Sequence, residues 1–477
     1  MDIVALLQPY NPWLELGEKG LQEVPAFTRP IFQDLILDLQ KLPQILSITG
    51  PRRVGKSTLL HQIVRQHLQQ GHPPELLIYY SLDDPALFRP SIDRQRFMDV
   101  LMREVKRRAG RKRVFLLLDE VQRLERWELH LKKYYDLRYP VRMVVSGSAS
   151  SPIFKKSRES LLGRVKDYHL LPFSFRELLL FRFQEKGEII EELEQIHEDG
   201  VAVMGMFAGA PKHLDLRTVN IRNVSGQLWQ LAQEAFPQYL SEGGFPEVWT
   251  LDTWERKTDY LYDNQVKKVI YEDLLLAAEF RKPEQLKRFY ISLLEQPGRE
   301  VNLSRIAEDT GILPAQVEKY LPLLEMTDLV THVEKFRKSA LRVRRGSVKF
   351  YLVDLALRNA VLRLHEAEIL DSATLGLYAE NLVLNALKKW RGTIAIDYYR
   401  EGNAEVDFVV HVGSRKYLPF EVKYRDAIED KDLLPIRNFV KKFRAPSGVV
   451  VTKRPEDFGR RDGLFLIPLL HFLLMFD

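Results

Sequence analysis

GPRRVGKST, Gly50–Thr58, is the stretch that decides the fold. Its spacing is G-x-x-x-x-G-K-[ST], the phosphate-loop pattern. Gly50 and Gly55 let the backbone wrap closely around phosphate oxygens. Pro51, Arg52, Arg53 and Val54 complete the cradle, whose N–H groups join the N-terminus of the next helix in supplying partial positive charge. Lys56 is expected to reach the β- and γ-phosphates, Ser57 to ligate Mg²⁺, and Thr58 closes the motif. The pattern requires an apolar strand before it and a helix after it. QILSITG is such a strand, and a helix is expected from Ser57.

Outward from the loop, RPIFQDLILDLQ places Ile31, Leu35, Leu39 and Leu42 near helical spacing. ELLIYYSLDD, RVFLLLDE, VRMVVSGSAS and KDYHLLPFS read as four further buried strands, with helical stretches between them. Strand and helix in alternation predict an α/β fold, a parallel sheet covered on both faces. VFLLLDE delivers Asp119 and Glu120 at a strand end, Asp119 to hold Mg²⁺ and Glu120 to polarise the attacking water. An adjacent Asp-Glu pair points to ATPases whose acid strand is displaced from the loop strand. A polar residue on the intervening strand then senses the γ-phosphate. VVSGSAS offers Ser146 and Ser148, and Ser148 is the choice; a helix cap is the plainer role for both. Arg164, in LLGRV, is placed to reach a neighbouring subunit's γ-phosphate, a role worth roughly 10³–10⁵ in rate, or to make a surface ion pair.

The chain has 477 residues, which suggests roughly three domains. With 45% hydrophobic and 29% charged residues it reads as globular, and with no cysteine it has neither disulfides nor a thiolate zinc site. That suits a reducing, cytoplasmic setting. A formal charge of +6 and a pI of about 9.1 hint at a polyanionic partner. No secretory signal is visible. The longest apolar segment, LFLIPLLHFLLMF, is too short for the roughly 20 residues of a membrane helix and is interrupted by Pro468 and His471. It is expected to be a buried closing element.

The remainder divides into a helical lid (174–280), a small domain (281–360) and a second α/β domain (361–477), behind an ATPase domain at 1–173. In the small domain, Leu303, Ile306 and Ala307 precede a turn at Gly311, and Val317, Tyr320, Leu321 and Leu324 give a second helix its apolar face. This is a helix-turn-helix pattern. The following wing holds Lys335, Arg337, Lys338, Arg342, Arg344, Arg345 and Lys349, suited to DNA backbone contact. A protein–protein joint is the alternative. A second basic cluster, Lys106 to Arg113, reads as a solvated connection. In the last domain a helix carries Glu380, a strand Asp407, and YLPFEVK brings Glu421 and Lys423 onto one strand face. Glu405 shares the face of Asp407, as does His411.

GPRRVGKSTLL, LLLDEVQRLERWELHLKKYYD, VVSGSAS, LLGRV and LPFSFREL, in this order, resemble the AAA-plus-related prokaryotic ATPases of the archaeal-type branch. YLSEGGFPEV, IYEDL and the later AEVD…EVK extend the likeness over nearly the whole chain. It implies a P-loop ATPase with helical lid, winged-helix domain and a C-terminal domain of restriction-endonuclease-like fold. In such nucleases Glu380, Asp407 and Glu421 would bind Mg²⁺ and Lys423 would steady the phosphorane. The expected function is ATP hydrolysis coupled to branched, forked or ended DNA, in a homo-oligomeric, hexameric ring if Arg164 works in trans. A nucleotide-switched signalling ATPase and an ATP-gated nuclease are the alternatives.

Overall fold

The computed structural model describes residues 2–89, 92–148, 161–209, 221–274, 283–295, 297–301, 308, 311–337, 348–390, 394–413 and 416–476. They fall into two compact units. The first comprises Met1–Leu171 with Tyr271–Arg281 and Met326–Asp328; the second holds the rest.

All five strands expected in the first unit form: β1 (Ile45–Gly50), β2 (Leu77–Ser81), β3 (Val114–Asp119), β4 (Val141–Ser148) and β5 (Val165–His169). They pair in the order β2-β3-β4-β1-β5, parallel throughout. β1 and β2 are buried along their whole length, so the apolar runs lie inside a covered sheet. Helix Arg94–Ala109 presses Phe97, Leu101 and Val105 onto the same core as Leu116, Leu118 and Val145. Each fully buried side chain of this kind contributes about 1.5–3 kcal/mol.

Gly50 ends β1 at φ +149°, where an added Cβ would lie 2.0 Å from the carbonyl oxygen of Leu170. Leu170 in turn donates its N–H to Thr49 O at 2.7 Å. The first glycine of the phosphate loop is therefore also where β1 leaves β5 at close quarters.

The second unit opens with helices. Ser174, in LPFSFREL, starts the helix Phe175–Arg182 through a capping box with Glu177. YLSEGGFPEV is structural too. The N–H of Gly244 donates to the buried Asp354 carboxylate at 2.7 Å, and Phe173 N–H donates to Gly244 O at 2.7 Å. A Cβ on Gly244 would meet Phe173 O at 2.2 Å.

Among the described residues nine strands follow in one sheet: β6 (Glu300–Val301), β7 (Val330–Lys335), β8 (Val348–Leu352), β9 (Ala395–Glu401), β10 (Ala404–Gly413), β11 (Lys416–Lys423), β12 (Gly448–Thr452), β13 (Gly459–Arg461) and β14 (Leu464–Pro468). Their order is β13-β14-β12-β11-β10-β9-β7-β8-β6. The expected small domain does not stand apart in the sheet: β7 pairs in parallel with β9 through Glu334 and Lys335. Helix Asp430–Phe443 packs Leu433, Ile436 and Phe439 against Val406, Val409 and Val450. The C-terminal apolar stretch is β14 plus the helix Leu469–Leu474, both buried. Among the described residues no helix is long and apolar enough to cross a membrane.

His471 in that last helix is 3% exposed, stacks on Phe458 with ring centroids 4.8 Å apart, and its Nε2 has no hydrogen-bond partner among the described residues. Burial pushes its pKa down to about 4. The unfolded chain takes up this proton near pH 6.5, whereas the folded chain refuses it until about pH 4. Stability is therefore lost as pH falls through that window, by about 3 kcal/mol. His471→Phe should lack this component. Urea unfolding of both proteins from pH 7 to 4.5 reads the difference; parallel pH curves would refute it.

Candidate functional site

The sheet order brings the nucleotide residues together. β4 lies between β1 and β3, so the loop after Gly50 and the acids after β3 open on the same edge, one strand apart. Gly55 caps the helix Lys56–Gln69 at φ +96°, and Arg53 also has positive φ. Lys56 is buried, with Nζ donating to Gly50 O at 3.1 Å and Pro51 O at 2.6 Å. Burial pulls its pKa below the ordinary lysine value, with Glu120 and Asp119 acting the other way. Arg52 pairs with Glu272, of the IYEDL segment, at 3.4 Å.

Asp119 is the hub. Its Oδ2 accepts from Ser57 Oγ at 2.5 Å and from Tyr79 OH at 3.0 Å. Its Oδ1 accepts from Ser146 Oγ and from the Glu120 N–H at 3.0 Å. A hydroxyl and a carboxylate meeting this closely are hard-oxygen donors that fit Mg²⁺. Glu120 takes a left-handed backbone at φ +50° and accepts from Gln122. Burial raises its carboxyl pKa, Lys56 opposing and Asp119 reinforcing, a direction that suits a group accepting a proton.

The two serines of β4 divide their work. Ser146 aligns with Ile48 and bonds Asp119; Ser148 aligns with Gly50, at the mouth of the loop. The sequence reading passed over Ser146 as sensor, and its contact orients the acid. Tyr79 was missed altogether. Its only signal is a tyrosine in an apolar strand, with no spacing to mark it.

Arg164 lies elsewhere. Its carbonyl accepts from Ile45 N–H at 2.9 Å, at the start of β1, whereas the phosphate loop follows the end of β1. Five residues of strand separate the two, about 17 Å. Its guanidinium makes two bonds to Asp136, at 2.7 and 3.2 Å. Arg164 therefore does not serve the nucleotide of its own chain.

The second unit gathers the other predicted residues. Glu380 comes from helix Ser372–Lys389, Asp407 from β10, and Glu421 with Lys423 from β11. Asp407 Oδ2 accepts from Val422 N–H at 2.8 Å, and Glu421 Oε1 from Lys423 Nζ. Burial, and then Asp407, pushes both the Glu380 and Glu421 carboxyls up. Glu421 Oε2 is buried, with no hydrogen-bond partner among the described residues.

Lys349 corrects the sequence reading. It was expected on a solvated wing, touching phosphates. It is 3% exposed, and its ammonium lies 2.6 Å from Glu405, 3.2 Å from Glu380 and 4.0 Å from Asp407. Strand alternation in VKFYL puts Lys349 and Tyr351 on one face, and Tyr351 OH also donates to Glu380, at 2.6 Å. The cation amid three carboxylates is a lysine. Among the described residues no group of three acids or histidines could hold a metal ion. The cluster in this form does not fit Mg²⁺. Glu405, read as a supporting residue, holds Lys349 and also Arg400, at 3.3 Å. His411 pairs with Asp397 at 2.8 Å and packs against Phe336. Of the other wing residues, Lys335 and Arg337 are half-buried, and Lys338, Arg342, Arg344 and Arg345 lie outside the described residues.

Residues 42–179 match the family described as AAA domain. Residues 233–368 and 375–472 match two families described as domains of unknown function, DUF8612 and DUF4143. Over 435 residues the chain is 22% identical to an uncharacterized protein of Haemophilus influenzae, covering 90% of this chain and 93% of that protein. An uncharacterized protein of Methanocaldococcus jannaschii is 20% identical over 438 residues, with 89% and 86% covered. The solved structure of AMPPCP-bound DnaA from Aquifex aeolicus overlaps 62% of this chain and 86% of that chain at 14% identity, with a TM-score of 0.27, too low to bear on the fold. The family match and the sheet order together make residues 42–179 a P-loop ATPase fold of the AAA kind.

Replacing Lys349 by Met leaves the facing carboxylates without their buried counter-ion. That change should cost about 3–5 kcal/mol, read as a lower urea midpoint, and Glu380→Gln in the same chain should recover part of it. An unchanged midpoint with weaker DNA binding would return Lys349 to a surface role.

Proposed function

We propose that this chain is an ATP-hydrolysing switch that acts on DNA and whose C-terminal domain recognises without cutting. The observation that carries the ATPase half is the convergence of Ser57, Tyr79, Ser146 and Glu120 N–H on Asp119, beside the phosphate loop. Ser57 and Asp119 hold Mg²⁺, which neutralises charge on the phosphates when bound. Lys56 leaves its loop carbonyls to meet the β- and γ-phosphates. Glu120 orients water and takes its proton. Ser148, at the loop mouth, contacts the γ-phosphate. Arg164 reaches a neighbouring copy's nucleotide after release from Asp136, which calls for a homo-oligomer, most simply a hexameric ring.

Two features support the DNA half. Helix Pro283–Glu295, β6, helix Pro314–Met326, β7 and β8 follow in that order, and the strands pair antiparallel as β7-β8-β6, an arrangement that supports a winged helix. Its wing sequence from Lys335 to Arg345 is basic and lacks acids. In the last domain the helix carrying Glu380, three antiparallel strands and a parallel β12 support the restriction-endonuclease-like reading. Lys349 in its carboxylate cluster argues against cleavage.

Purified protein with ATP, Mg²⁺ and linear, forked or four-way DNA tests this reading. DNA should stimulate hydrolysis and stay uncut. Lys56→Ala should abolish nucleotide binding. Glu120→Gln should bind ATP yet hydrolyse it about 10²–10⁴-fold more slowly. Cleavage that Glu421→Ala removes would establish the nuclease instead. Absent DNA binding at low salt would leave the signalling ATPase.

A further inference from the structure

The edge of the five-stranded sheet opposite the phosphate loop carries a groove of about 840 Å³. It runs past the starts of β1, β3 and β4, with Pro43 and Pro140 in its walls. Arg111, Lys112, Arg113, Arg138 and Arg142 all line it. The sequence reading set the first three aside as a solvated connection. The fold instead joins them to Arg138, from the turn that leads into β4, and to Arg142, within β4.

Three observations distinguish this groove from ordinary charged surface. Its lining includes a single carboxylate, Asp136, against five cations. Among the described residues none of the five cations pairs with an acid. Arg142 is half-buried, tethered to Leu42 O at 2.7 Å, and burial together with Arg113 draws its pKa below the ordinary arginine value. Cations brought together without an anion are a cost that a bound anion removes.

The walls are aromatic as well as basic. Tyr135 and Tyr139 are half-buried in the lining, and Tyr139 lies edge-on to Tyr134 at 4.8 Å with the Lys106 ammonium 5.9 Å from its ring centroid. Cations that track a backbone beside flat rings are the combination used for single strands, because every base has a face to stack. We propose that this groove binds the backbone of single-stranded nucleic acid, on the ATPase domain itself and separate from the wing. The inference rests on the DNA reading above and adds a site to it.

The test is fluorescence anisotropy of the full chain with a labelled oligo-dT, a duplex of equal length and a polyglutamate peptide, across a salt series. Arg111, Lys112 and Arg113 are exposed, so their triple alanine variant should fold; its thermal melt is the control. Oligo-dT should bind, and the triple variant should bind more weakly, with a log K against log salt slope shallower by about 2. Alanine at Lys431, Lys441 and Lys453 removes the same charge from the second unit and should leave the slope unchanged. Equal loss in both variants would reduce the effect to net charge and overturn the groove. Wild-type binding that the triple variant keeps would overturn it while leaving the DNA reading intact. Polyglutamate binding as tight as oligo-dT would also overturn it. No binding of either DNA by the wild type would remove the DNA reading and the groove together.

Discussion

The parallel pairing of β1 with β4, and of β4 with β3, is the constraint on which the nucleotide site depends. It inserts one strand between the phosphate loop and the acids. That spacing, set by the distance between adjacent strands, leaves room for Ser57 to meet Asp119 at hydrogen-bond distance. It also aims the side chains of β4 at the same place, which is why Ser146 can finish the coordination of Asp119 from the middle strand. All five strands run the same way, so the opposite edge is free for another purpose. Arg164, Asp136 and the basic groove all lie there.

The second unit turns on Lys349. A lysine at 3% exposure is costly unless its charge is met, and here Glu380, Glu405 and Asp407 meet it from one helix and one strand. The result ties β8 to β10 and to the helix Ser372–Lys389, alongside the direct pairing of β7 with β9. A cluster that reads in sequence as a metal site is in the fold an ion-pair network with its own cation. The same carboxylates serve either arrangement; what differs is which positive charge reaches them.

Much of this was legible beforehand because the signals were local. GPRRVGKST and LLLDE each lie within one strand-to-loop transition, and strand alternation alone puts Glu421 and Lys423 on one face. The buried C-terminal LFLIPLLHFLLMF was readable from its length and its proline. Tyr79 was not legible, since a tyrosine in an apolar strand looks like packing until the neighbouring strand is known. Lys349 was misread for the reverse reason: its local company is basic, and its partners lie 31 to 58 residues downstream. The cluster from Arg111 to Arg113 looked solvated because Arg138 and Arg142 join it only through the sheet.

Residue order alone sets the chemistry on offer: a phosphate-loop pattern, an acid pair at a strand end, and a strand presenting a glutamate and a lysine. These depend on the conformational freedom of glycine and the two-residue period of a strand, which act over a few residues. The tertiary structure decided which charges face one another. It gave Asp119 its four donors, sent Lys349 inward to the carboxylates, and set Arg164 a strand's length from the loop of its own chain. Coulomb interactions and burial depend on distance in space, and strand order sets that distance.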